Sequence, residues 1–137
     1  MIELTPERVG KAYEALATGK EEEIAQYWAQ DMVWLVPGHN LLSGWYHGRT
    51  AFMDFMAKVG ELSGNSFSMQ PITVMVNGEY STDVTRNLGQ RAGNPDVKLD
   101  IDVAHVLRWH DGKIIAGKGG IFGDGTTQYD QFWSART

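Results

Sequence analysis

Two dipeptides, Asn77-Gly78 and Asp111-Gly112, constrain the second half of this 137-residue chain more than any other feature. Each stands between segments of alternating apolar and polar residues. Asn-Gly and Asp-Gly are favoured in tight hairpins because the central turn residues adopt positive φ. With Gly93-Asn94-Pro95 as a third break, they divide the later chain into four strands near 66–76, 79–91, 97–109 and 113–122. Strands joined so closely pair with their sequence neighbours, which predicts an antiparallel meander.

The first half reads differently. Thr5-Pro6-Glu7 is a helix start, with Thr5 as cap, Pro6 in the first turn and Glu7 at the positive end of the dipole. Val9, Ala12, Tyr13, Leu16 and Ala17 then recur at helical spacing until Gly19. A second helix is expected from Lys20 to about Trp28, and a strand buried on both faces over Met32–Val36, ended by Pro37-Gly38. A loop, HNLLSGWYHG, leads to a third helix with Phe52, Phe55, Met56, Val59 and Leu62 on its inner stripe. The resulting order, α-α-β-α-β-β-β-β, does not alternate regularly. It therefore predicts an α+β domain with helices on one face of a mostly antiparallel sheet, spanning residues 1–137 as one unit.

Composition removes several function classes. A net charge of −5 with no basic stripe argues against a nucleic-acid partner. Zero cysteines exclude disulfides, thiolate metal sites and cysteine nucleophiles. The histidines and acids show no metal-ligand spacing, and phosphate-loop, dinucleotide and nucleophile-elbow motifs are lacking, so no cofactor or metal is expected. No apolar run is long enough for a membrane helix, and the N-terminus has no signal-peptide core, so a cytoplasmic protein is expected.

Several segments taken in order resemble one superfamily. They are LATG at 16–19, YWAQDMVW at 27–34, LSGWYHGR at 42–49, VLRWHDGKI at 106–114 and QYDQFW at 128–133. Over nearly its whole length the chain is similar to the SnoaL-like polyketide cyclase and ketosteroid isomerase-like branch of the nuclear transport factor two superfamily. The resemblance implies a cystatin-like, cone-shaped barrel. A strongly curved sheet would have three helices closing its concave side over an apolar pocket for a small hydrophobic molecule. It also implies a homodimer through the outer sheet face, and either enzymatic or purely binding and dimerising roles.

The family's catalytic positions transfer poorly. The ketosteroid isomerase-like base position falls on Val36, the tyrosine position on Ala12 beside Tyr13, the supporting tyrosine on Met56, and the oxyanion-holding acid on His105. That argues against isomerisation by the same residues, and a pocket acid is not evident. His105 stands among the apolar alternation of Ile101, Val103, Leu107 and Trp109. On residues alone it is either a buried, satisfied histidine or, at the family position, a proton donor or acceptor aimed into the cavity.

Arg86 shares even-numbered parity with Tyr80, Thr82, Val84 and Leu88, which predicts that it faces inward and stabilises developing negative charge. A bulge would reverse that face and send it to solvent or to an acid. Trp34, Tyr13, Phe52, Met56, Thr82 and Ile121 are the expected pocket wall, with His39 and Trp45 capping its mouth. Gly117, Gly119 and Gly120 interrupt the last strand, marking either a bulge or a widened cavity. The chemistry expected of such a pocket is isomerase, cyclase, dehydratase or hydrolase work. The alternative is a non-catalytic binding or dimerisation module.

Overall fold

The computed structural model describes residues 2–134. Helix α1 (Pro6–Thr18) starts as its sequence predicts. Thr5 Oγ1 accepts a hydrogen bond from the Arg8 N–H at 3.1 Å, and Gly19 ends the helix in the left-handed region. Helix α2 (Glu21–Ile24) is one turn long and stops well before Trp28. Trp28 instead opens β1 (Trp28–Val36), because the Ile114 N–H donates to the Tyr27 carbonyl and draws this stretch into the sheet. The Trp28 ring is fully buried against α1, and its Nε1–H donates to the Ala12 carbonyl at 3.0 Å.

The expected loop after Gly38 contains a short strand, β2 (Gly44–His47), followed by α3 (Arg49–Ser63). The meander is present as β3 (Ser68–Asn77), β4 (Tyr80–Arg91), β5 (Asn94–His110) and β6 (Lys113–Ile121). Asp111 and Gly112 both have positive φ, as the tight β5–β6 turn requires. A fourth helix, α4 (Gly125–Ser134), follows, with Tyr129, Phe132 and Trp133 buried. The α+β class holds, with four helices and six strands among the described residues.

The sheet order is β2-β1-β6-β5-β4-β3. All neighbours are antiparallel except β1 and β6, which run parallel. The sheet is open at β2 and β3, so it is not a closed barrel. Residues from α1, α3 and α4 cover its inner face, and the largest fully buried side chains, Trp28, Trp109, Trp133, Phe52 and Phe132, lie there.

Candidate functional site

The register of β4 against β5 decides which polar groups face inward. The β4–β5 turn pairs Arg91 with Asn94. From Gln90 onward the pairing shifts, so that Gln90 meets Lys98 and Asp83 meets His105. Pro95, Asp96 and Val97 are the residues left over on β5. An odd number of extra residues exchanges the two faces of a strand. Ser81, Asp83, Thr85 and Asn87 are therefore buried, while Tyr80 and Arg86 are exposed.

This corrects the expectation for Arg86 and Thr82, which lie on the outer face. The Arg86 Nε and Nη2 donate to the two Asp100 carboxylate oxygens at 2.8 and 2.7 Å, in a pair half-exposed to solvent. That pairing holds the Asp100 carboxyl below its usual range, the Arg86 hydrogen bond being the main cause. Arg86 has no access to an interior ligand.

Asp83 instead gives the site its acid. Its Oδ2 lies 2.9 Å from His105 Nδ1, and its Oδ1 accepts the Tyr13 hydroxyl at 2.7 Å. Asp83 and His105 are 2% and 6% exposed, so the contact is sealed from bulk water. Burial first, and then the charge and hydrogen bond of Asp83, push the Tyr13 phenol well above its ordinary pKa. Tyr13 is thereby kept as a neutral donor. A carboxylate beside Nδ1 favours the tautomer protonated there, which leaves Nε2 as the second functional atom of His105. The Cδ2 edge beside that atom faces Gly119 on β6.

Tyr13 and His105 sit on the wall of an inner chamber of about 70 Å³. Trp34, Phe52, Met56, Ile121, Tyr13 and His105 all line it. The Trp34 ring lies 5.9 Å from the His105 ring and 5.1 Å from Phe52. It fits because Gly117 lies across from it; a Cβ there would come within 2.4 Å of the indole. The irregularity in β5–β6 pairing falls at Arg108/Trp109, so Gly117 and Gly119 give room and are not the bulge.

A wider groove of about 520 Å³ runs between α1 and β3. It shares Tyr13, Leu16, Met56, Phe67 and Met69 with the chamber and reaches Asp83 and Thr85. The apolar chamber therefore continues outward on the α1 side. At the opposite end Asp130 of α4 accepts the His39 backbone N–H at 2.9 Å and an Asn40 Nδ2–H at 2.8 Å, tying down the β1–β2 loop.

The two expected capping residues do not line the chamber. His39 contributes its backbone to that latch, and Trp45 is 57% exposed on the outer face, where it pairs opposite Leu35. Asp83 escaped the sequence reading. Its signal was the strand opposite His105, legible only with the β5 irregularity known. Among the described residues no cluster of three or more metal-ligating side chains exists, and no helix is long and apolar enough to cross a membrane.

A family model described as a SnoaL-like domain matches residues 9–117. Comparison with curated proteins gives no significant match. Among solved structures the chain is similar to Bal32a from a soil-derived mobile gene cassette, with TM-score 0.83 and 23% identity over 93% of this chain and 94% of that one. It is also similar to a Xanthomonas campestris protein of unknown function with a cystatin-like fold, with TM-score 0.81 and 25% identity over 94% and 97%. A third neighbour is a Catenulispora acidiphila protein of ketosteroid isomerase-like fold in complex with trimethylamine. It has TM-score 0.75 and 16% identity over 98% and 99%.

Proposed function

Because the chain belongs to the SnoaL-like domain family, whose model covers residues 9–117, we propose that it is a cytoplasmic pocket enzyme acting on a small apolar oxygenated molecule, without metal or organic cofactor. The reaction class is isomerase, cyclase, dehydratase or hydrolase, with His105 moving the proton. The observation that carries this is the Asp83–His105 contact at 2.9 Å on the wall of an apolar chamber. A carboxylate on Nδ1 fixes the imidazole tautomer and stabilises the imidazolium that forms when Nε2 takes a proton. Tyr13 holds the other carboxylate oxygen and so fixes the orientation of Asp83. The aromatic walls exclude water, which strengthens each of these interactions.

One observation favours a binding-only role. Val36, at the position where ketosteroid isomerase-like relatives carry a base, is an apolar lining residue. The two readings separate on 2-tetralone in deuterated buffer, followed by NMR for deuterium uptake at the α-carbon. The enzyme reading expects uptake above the buffer rate that is lost in His105→Ala. Binding of the ketone with uptake no faster than buffer would remove enolising isomerase and cyclase chemistry and favour the binding module.

The proposal includes a second copy of the chain on the outer sheet face, where Trp45, Met75, Tyr80 and Val106 are exposed. Sedimentation of the wild type as a dimer and of Val106→Glu as a monomer is the expected result. A monomeric wild type would refute it.

A further inference from the structure

A second polar group faces the chamber, and it differs in kind from His105. Asn87 of β4 is 4% exposed and lines the inner chamber. Its Oδ1 accepts the Thr85 hydroxyl at 2.7 Å. Its Nδ2 then carries two N–H donors that no group among the described residues accepts. An amide nitrogen on the chamber wall with no protein acceptor can bind a ligand oxygen.

Resting on the reading of the chamber as a ligand site, the geometry points to Asn87 as the anchor for a carbonyl oxygen at the end of the ligand away from His105. Asn87 lies four residues along β4 from Asp83, which pairs with His105. The two polar groups therefore stand apart on one wall, and the aromatic rings of Trp34, Phe52, Phe55, Phe67 and Trp133 around them suit a flat ligand. The polarity is directional. His105 Nε2, with Nδ1–H committed to Asp83, accepts a hydroxyl proton, whereas Asn87 Nδ2 can only donate. The ligand class is a flat hydroxy-ketone, its hydroxyl at His105 and its carbonyl at Asn87.

Titration calorimetry with 4-hydroxyacetophenone and 4-ethylphenol, which have the same shape but differ in the carbonyl, tests this. The wild type should bind the ketone about three- to tenfold more tightly, the difference one hydrogen bond makes. Asn87→Leu should bind both equally, and cooperative urea unfolding shows that the variant is folded. Asn87→Asp retains the Thr85 hydrogen bond but replaces donors with acceptors, and should disfavour the ketone. Equal binding of both compounds by the wild type, or a preference that survives in both variants, would overturn the Asn87 assignment alone. Failure of the wild type to bind either compound would overturn the ligand-site reading along with it.

Discussion

Strands β4 and β5 carry two acid–base pairs, one on each face, and the pairs have opposite characters. On the inner face Asp83 and His105 meet 2.9 Å apart, almost fully buried, with Tyr13 as third partner. On the outer face Arg86 and Asp100 make a two-pronged contact at 2.7 and 2.8 Å, about half exposed. The outer pair has the more favourable geometry and the smaller consequence, because water and salt screen it. The inner pair cannot be hydrated if broken, so each group depends on the other. Burial, more than contact length, separates a surface pair from a site.

The contrast predicts a graded set of effects. The largest belongs to Asp83→Ala, which strands the His105 Nδ1–H and the Tyr13 hydroxyl in the interior. It should cost about 3–5 kcal/mol in urea unfolding. A loss comparable to a surface substitution would mean that the inner triad is already hydrated.

Tyr13→Phe comes next, at about 2 kcal/mol, since Asp83 loses one of its two donors. It also carries a pH signature. The Tyr13 pKa is raised in the folded state, so its contribution is fully present below the ordinary value of 10.0. It is lost as pH rises from there through the raised folded value. Wild-type stability should thus fall on the alkaline side of pH 10.0, with a shallower fall in Tyr13→Phe.

A matched glycine pair repeats the comparison one strand over. Gly117→Ala places a Cβ against the Trp34 indole and should cost about 1–3 kcal/mol while changing the near-ultraviolet circular dichroism. Gly120→Ala, where the nearest atom is the Ala104 carbonyl at 3.9 Å, should leave that spectrum unchanged.

Arg86→Ala should have the smallest effect, and one that disappears in high salt. The Asp100 carboxyl is held low by Arg86, so what the pair contributes is present above the ordinary carboxylate range and lost as pH falls through the lowered folded value. Arg86→Ala should therefore fall below wild type at neutral pH and converge with it on the acid limb of the stability profile. An equal loss at all pH values would show that Arg86 does more than pair with Asp100.

The parts of the fold that were legible in the sequence are those set by local chemistry. Thr5-Pro6 and Gly19 bound α1, and the turns at Asn77-Gly78 and Asp111-Gly112 produce the meander. The missed elements lacked strong local signals. β2 is four residues long, and α4 opens on Gly125, a weak helix former, although Tyr129, Phe132 and Trp133 are spaced as one helix face.

For the site, His105 could be placed because apolar neighbours marked its face. β4 misled because its outer residues include Tyr80, Val84 and Leu88, while its buried face carries Ser81, Asp83, Thr85 and Asn87. Hydrophobic alternation identifies the inner face only where that face is apolar. Here the site made it polar, and the leftover residues of β5 fixed the register beyond what any turn motif specifies.

Whether Asp83 holds His105 with Nε2 presented to the chamber is read from long-range ¹⁵N–¹H correlation spectra of the histidine rings at mildly alkaline pH. His105 should carry its proton on Nδ1, and adding 4-hydroxyacetophenone should shift Nε2 far more than Nδ1. A proton resident on Nε2, or nitrogen shifts that average as in a free imidazole and ignore the ligand, would contradict this arrangement.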